Sequence, residues 1–347
     1  MSGAIHTHDQ VGVKESVSSK ITNKTVVETP IIAKLRKPKG KRLKNAIHTS
    51  MLTEYQDVHH RGVRENEDAV EFHGDGRTPL FSVWQKMERN ISVTCHGEKQ
   101  EIHGAKSEVA FQMARAAVYM RKKWEMRIAS NEDNEMEDGV ANFYETRGIM
   151  NWIAATPWTG QTPAPAPGQA SQKVFPVPAD CRPSPDSQYT GPLGSLTEDV
   201  LGDLLEAAYC CRDGSVDLDG FVGIKLKRKI SQMSQYHTNA ARFYFRQVNQ
   251  PTPKHLDVML DVYSTDAGRL TMHLDNWLMV PEDGVRTEFS KRSGMFIDTD
   301  AFALVMEKVQ KKKLEYRGGG HRFLVWNYGA LECLNPCGHV SIVTDQD

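Results

Sequence analysis

The chain has 347 residues, 43 of them Lys or Arg against 44 Asp or Glu, for a formal net charge of −1. That length can bury a sizeable core, organised in two lobes, yet only 39% of the residues are hydrophobic and the mean hydropathy is −0.51, so long segments are expected to lie exposed or between molecules. The balanced charge argues against a dedicated nucleic-acid binder, whose footprint is strongly basic; no apolar run is long enough to cross a bilayer, and the N-terminus lacks a signal peptide's apolar core.

Six cysteines, Cys95, Cys181, Cys210, Cys211, Cys333 and Cys337, are scattered along a chain without a secretion signal. They read as free thiols of a protein made in a cytoplasm. Near-neutrality also suits a molecule that packs against copies of itself, because self-repulsion is small.

Residues 1–33 contain few large apolar groups and show no sustained period, so they read as an arm that is loose or ordered only by neighbours. Lys34, Arg36, Lys37, Lys39, Lys41, Arg42 and Lys44 follow, seven basic residues in eleven, with Pro38 and Gly40 breaking any helix. Residues 51–86 are polar, with an acidic patch at Glu65, Glu67, Asp68 and Glu71 and a turn at Gly74-Asp75-Gly76. Two extended runs around that turn predict a projecting hairpin with little core of its own. The basic run and the acidic patch are candidates to pair between neighbouring copies.

From Asn90 to Gly97 the sequence alternates with the period of a strand. It then becomes helical: Val109, Met113, Ala116, Ala117, Met120, Trp124 and Ile128 recur three or four apart and predict a packing stripe. Ser107 or its neighbours cap the start, with Glu108 near the positive end of the dipole. Ser107 to Ala129 gives a rod of roughly 35 Å. Arg115, Arg121, Lys122, Lys123 and Arg127 are assigned to its opposite, basic face, so the rod needs a partner sheet on its apolar side.

Phe143 to Ile153 reads as a short buried segment, and Pro157 to Pro192 as a long irregular loop rich in Pro, Ala, Ser and Gln. Ser195-Leu196-Thr197-Glu198 has capping-box spacing ahead of a helical run through Val200, Leu201, Leu204, Leu205, Ala208 and Tyr209. A turn at 212–214 leads to a short buried strand, Phe221 to Ile224, and a basic helix from Lys225 to about Tyr236, a small α/β lobe. His255 to Tyr263 and Arg269 to Leu278 alternate around Thr265–Gly268, a hairpin signal. Phe302 to Met306 is an apolar run. After a Gly318–Gly320 joint, Arg322 to Leu331 reads as a strand with Phe323, Val325 and Asn327 on one face.

Catalytic patterns are sparse. Cys333, Cys337 and His339, with His321 as a possible fourth ligand, raise a metal-dependent enzyme as one alternative, although structural zinc sites favour tighter, paired spacings. Asp213, Asp217 and Asp219 resemble a calcium loop but have Leu218 where the turn glycine belongs. No nucleophile elbow or His-Glu-x-x-His helix is present. No catalytic residue, cofactor or metal site is assigned. The other alternative is a nucleic-acid-binding protein that uses the basic segment 34–44; that segment has no interleaved aromatics for base stacking and would make only sequence-blind phosphate contacts.

The order of these features resembles the major capsid proteins of tailed double-stranded DNA bacteriophages with the HK97-type fold. Glu28-Thr29-Pro30-Ile31-Ile32 before a Lys/Gly-rich stretch resembles that family's N-terminal arm. Arg89 to Val93, Gly104 and Glu108 to Gln112 resemble the junction of its extended loop and spine helix. Arg147-Gly148-Ile149 with Trp152-Ile153, then Leu196 to Asp199, Lys227 to Ser231, Asp261 to Tyr263 with Asp266 and Gly268, and Asn327 to Ala330 continue the match in order.

The resemblance implies an α+β HK97-type fold: an N-terminal arm (1–48), an extended loop or E-loop (49–103), a peripheral domain with the spine helix (104–147), an axial domain (148–254) holding the Pro-rich loop 157–192, and a β-rich return (255–347). It implies a structural, non-enzymatic protein that self-assembles as hexamers and pentamers into an icosahedral virion shell around double-stranded DNA, assembled in the host cytoplasm. The expected partners are further copies, with portal, scaffolding and decoration proteins, non-specific contact with DNA, and no membrane. With Met1 at its start, the chain is expected to lack a scaffolding segment removed by protease.

Overall fold

The computed structural model describes residues 28–38, 45–53, 76–99, 107–137, 143–155, 176–212, 214, 216–233, 262–265, 267–281, 285–316 and 319–344. Its helices are α1 (Pro30–Lys34), α2 (Cys95–Lys99), α3 (Glu108–Ile128), α4 (Ile149–Trp152), α5 (Glu198–Arg212), α6 (Ile224–Met233) and α7 (Glu288–Arg292). The strands are β1 (Ile47–Leu52), β2 (Thr78–Val83), β3 (Gln85–Thr94), β4 (Gln188–Tyr189), β5 (Val216–Val222), β6 (Val262–Ser264), β7 (Gly268–Leu274), β8 (Gly294–Ile297), β9 (Phe302–Met306), β10 (Gln310–Lys313), β11 (Gly320–Cys333) and β12 (Val340–Ile342).

They form three sheets. β1 and β2 make a two-stranded antiparallel ribbon, with Ile47 opposite Val83 and Leu52 opposite Thr78. In the second sheet β11 pairs with β3 along ten residue pairs, Gly320–Thr94 to Gly329–Gln85. Its other edge takes β10, and beyond Gly329 it pairs with β9. The third sheet runs β4-β12-β8-β5-β7-β6, antiparallel except for the parallel pairs β4/β12 and β5/β7. Gly220 of β5 lies opposite Phe296 of β8, and a Cβ there would run into the Phe296 ring; only glycine lets that ring lie across the strand.

The predicted rod packs on the second sheet. Val109, Met113 and Ala116 of α3 meet Ile91, Val93, Phe323 and Val325, while Trp124 and Ile128 enter the main core with Leu304 and Leu331. The Trp124 indole N–H donates to Asn327 Oδ1 at 3.0 Å. A second core, built from Leu201, Leu204, Leu205 and Ala208 of α5, Leu226 and Ile230 of α6 and one face of the third sheet (Leu218, Leu270, Phe296), defines the other lobe.

Several expectations are revised. Ala117 is exposed and Ala116 takes the packing position, because a straight 3.6-residue helix turns one member of an adjacent pair away from the sheet. Arg127, assigned to the basic face, is buried: its guanidinium donates to the Thr146 and Asp133 carbonyls and to the Glu132 and Glu145 carboxylates. Ser107 occupies the N-cap position but makes no side-chain cap hydrogen bond. At α5 the cap is Thr197, whose Oγ1 accepts from Val200 N, while Ser195 closes a preceding 3-10 turn.

Phe143 is 72% exposed, and burial begins only at Thr146. The last part of the Pro-rich loop is regular: Val177 and Cys181 are buried, two 3-10 turns follow, and β4 adds to the third sheet. Of the predicted strand Phe221 to Ile224 only Phe221 and Val222 belong to a strand, the end of β5 (Val216–Val222), whereas Ile224 is exposed and opens α6. The predicted late hairpin is met where it is described, by β6–β7 around Thr265 and Gly268, whose backbone groups bond to each other at the edge of the third sheet; residues 255–261 of its first strand lie outside the described residues. The glycine joint is the turn between β10 and β11, closed by Leu314 N to Arg322 O, with Gly319 at φ 73°, the left-handed region that favours glycine.

Candidate assembly surfaces

Residues 1–33 were expected to be loose or ordered only by neighbours, and within the arm residues 28–38 are described. Instead they enter their own subunit's core: Ile31, Ile32 and Leu35 join the cluster containing Trp124, Phe221, Met295 and Phe302. Pro30 starts α1 with a φ suited to a first helical turn. The helix start donates into Glu125 of α3, with Ile31 N to Oε1 at 2.8 Å and Ile32 N to Oε2 at 2.9 Å. Downstream, Leu304 N of β9 donates to Arg36 O at 2.9 Å. Trp277 Nε1 donates to Glu28 O at 2.8 Å, and Lys34 Nζ lies 3.3 Å from Asp219 Oδ1 of β5. The segment therefore touches the spine helix and both larger sheets.

Glu125 is fully buried. Burial, reinforced by the nearby Asp275 carboxylate, pushes its carboxyl up to about 8 against the pull of the Ile32 and Ile31 amides and of Arg121. Asp275 is itself raised to about 6 by burial, opposed by hydrogen bonding from the Trp277 amide. Beside them burial lowers the Lys37 ammonium pKa, and Arg121 lowers it further. One buried carboxyl, Glu125, thus meets the start of the arm helix on the spine, with Asp275 close enough to raise its pKa.

The ribbon β1–β2 is fastened to its own subunit along its length. Ser50 Oγ donates to Cys333 O at 2.6 Å, Ser82 Oγ to Leu331 O, and Leu80 and Val83 are buried. Among the described residues its strands pair only with each other, and Met51 is exposed. Of the predicted contact residues, Lys34 is paired within the subunit, Arg36 serves through its backbone and Lys37 lies beside α3. Lys39, Lys41, Arg42, Lys44, Glu65, Glu67, Asp68 and Glu71 lie outside the described residues. The spine residues Met120, Trp124 and Ile128 are buried, and Val109 and Met113 are half-buried.

The metal alternative fails on geometry. Cys337 is disulfide-bonded to Cys211, which also corrects the expectation of six free thiols. Cys333 is buried, and burial raises its thiol pKa well above the usual range. His339 Nδ1 accepts from Asp298 N at 3.2 Å and its Nε2–H donates to Asn335 O at 3.0 Å, so both ring nitrogens are used. His321 pairs with Glu98 instead. Asp217 and Asp219 lie on β5, and Asp219 contacts Lys34, His273 and Thr299; Asp213 lies outside the described residues. Among the described residues no cluster of His, Cys, Asp and Glu could hold a metal ion, and no helix is long and apolar enough to cross a membrane.

A spine helix laid across a long-stranded sheet, a two-stranded ribbon, a buried arm segment and a second α/β lobe make up a fold of the HK97 type. Solved structures with this architecture include the capsid of a native GTA particle (TM-score 0.58, 8% identity, 97% of each chain covered). Mycobacterium phage Bobi (TM-score 0.56, 9% identity, 96% of each chain) and the capsid of Myoviridae phage XM1 (TM-score 0.55, 10% identity, 99% of this chain and 100% of the other) are also similar. The profile of the SU10 major capsid protein family matches residues 4–345, and the chain belongs to that family. Its role is structural, as the subunit of a homo-oligomeric virion capsid shell. No curated protein matches it.

Proposed function

We propose that the subunit assembles as hexamers and pentamers into an icosahedral shell around packaged double-stranded DNA. The β1–β2 ribbon carries this reading: among the described residues its strands have no further strand partner, and it exposes Met51, so another copy is its natural covering. The arm (1–48), extended loop (49–103), peripheral (104–147) and axial (148–254) segments and the return (255–347) take the corresponding parts in that lattice. Lys39, Lys41, Arg42 and Lys44 would pair with Glu65, Glu67, Asp68 and Glu71 of an adjacent copy. DNA contact is non-specific, and portal, scaffolding and decoration proteins are the further partners. Many modest symmetric interfaces together would hold the container.

The test is size-exclusion chromatography followed by negative-stain microscopy. Uniform closed particles in the void volume are expected, and changing Glu65, Glu67 and Glu71 together to Lys should lower their yield. A stable monomer at high concentration that binds DNA tightly with a steep salt slope would overturn the shell reading.

A further inference from the structure

The two long helices of the second lobe carry opposite charges on their outward faces. On α5, Asp199, Asp203, Glu206 and Cys210 are exposed and recur at i, i+4, i+7 and i+11, a single stripe. Asp199, Asp203 and Glu206 make no ion pair among the described residues. Tyr209 beside them is 42% exposed. On α6, Ile224 is 58% exposed and Arg228, one turn on, is exposed without an acidic partner among the described residues. Lys225 lies between them, held 2.7 Å from Glu288.

The acidic stripe borders an open groove of about 600 Å³ lined by Asp186, Asp203, Glu206 and Cys210, with Arg182 as its one cation. Arg182 already donates to Val177 O. The groove is held in place from beneath: Cys211 is joined to Cys337, and Arg212 pairs with Asp298 at 2.6 Å. A shallow, net-acidic groove, with an exposed aromatic on the same helix, suits a cation flanked by an apolar group. The α6 face offers that combination in Arg228 and Ile224. The two helices lie over different strands, α5 on β5 and β12 and α6 on β7, so one subunit presents a donor surface and a different acceptor surface, as a head-to-tail ring requires.

We infer that the groove beside α5 receives the basic face of α6 from a second copy, and that this contact sets neighbouring subunits around the ring. The inference rests on the shell-building reading and adds which faces meet. Like charge placed at such a contact opposes association.

The experiment compares the full chain with Asp203→Lys/Glu206→Lys, with Arg228→Glu, and with all three changes together, scoring closed particles by chromatography and microscopy and folding by circular dichroism. Each partial reversal should fold like the starting protein and lower particle yield about tenfold or more, and the combined swap should restore most of it. Normal yield from both partial reversals would overturn the contact while leaving the shell intact. So would partial reversals that fold but fail to assemble without recovery in the swap. Absence of particles from the unaltered chain would strike the shell reading instead.

Discussion

Replacing Glu125 by alanine removes the acceptor of both Ile31 N and Ile32 N, at 2.8 and 2.9 Å. Ile31 and Ile32 are themselves almost fully buried, so water does not readily substitute. An unsatisfied buried N–H costs about 1–3 kcal/mol. Relief of burying the carboxyl beside Asp275 offsets part of that, leaving an expected net loss of about 2 kcal/mol. Concentrated in the arm, that loss corresponds to about thirtyfold faster exchange of the Ile31 and Ile32 amides when they open locally. Hydrogen exchange with peptide-level mass spectrometry reads it directly. Glu125→Gln keeps one carbonyl acceptor and should lose about half as much. Unchanged protection of residues 28–38 in Glu125→Ala would refute the idea that this carboxyl holds the arm to the spine.

The same carboxyl gives a pH dependence. Its folded pKa of about 8 lies above the ordinary 4.5, so the folded state keeps a proton that the unfolded chain releases. Its contribution is fully present below 4.5 and is lost as pH rises toward 8; that slope in urea stability should flatten in Glu125→Gln. His339 works in the opposite sense. Burial depresses its pKa from 6.5 to about 4, so its contribution is present above 6.5 and lost as pH falls through 4; His339→Asn should reduce this acid sensitivity, and an unchanged urea profile between those values would count against it. In unreduced, denatured protein four of the six cysteines should alkylate, with all six reacting after reduction; six from the start would exclude the Cys211–Cys337 bond. Trp124→Ala should destabilise by about 3–5 kcal/mol in chemical denaturation, and a loss below 1 kcal/mol would show that α3 is not fixed to β11 through this ring.

Periodicity made the spine stripe readable, because Met120, Trp124 and Ile128 recur at helical spacing and one sheet covers them. A continuous apolar run revealed β9, alternation the Val325/Asn327 face of β11, and glycine marked the β10–β11 turn. Glu125 gave no comparable signal. On a helix rich in Arg and Lys it reads as another surface charge, and its partners are backbone amides 94 and 93 residues away, which carry no side-chain pattern. Arg127 was misassigned for the same reason: its buried position is created by Glu132, Glu145 and two carbonyls that meet it only after folding. The disulfide spans 126 residues, and spacing alone does not encode which cysteines approach. The groove beside α5 was half visible, since Asp199, Asp203 and Glu206 have helical spacing, but its concavity depends on Arg182 and Asp186 from a segment assigned to loop.

The fastening of the β1–β2 ribbon has a mechanical corollary. Ser50 and Ser82 bind it to carbonyls near the C-terminal end of β11, and that strand lies along β3 for ten consecutive pairs. A load passed through the ribbon therefore enters β11 at Leu331 and Cys333, which pair with Leu304 and Phe302 of β9, before it reaches the β3 ladder that ends at Gly329. The β9–β11 rungs would share that load first and the longer β3–β11 ladder next, with α3 packed across the same sheet.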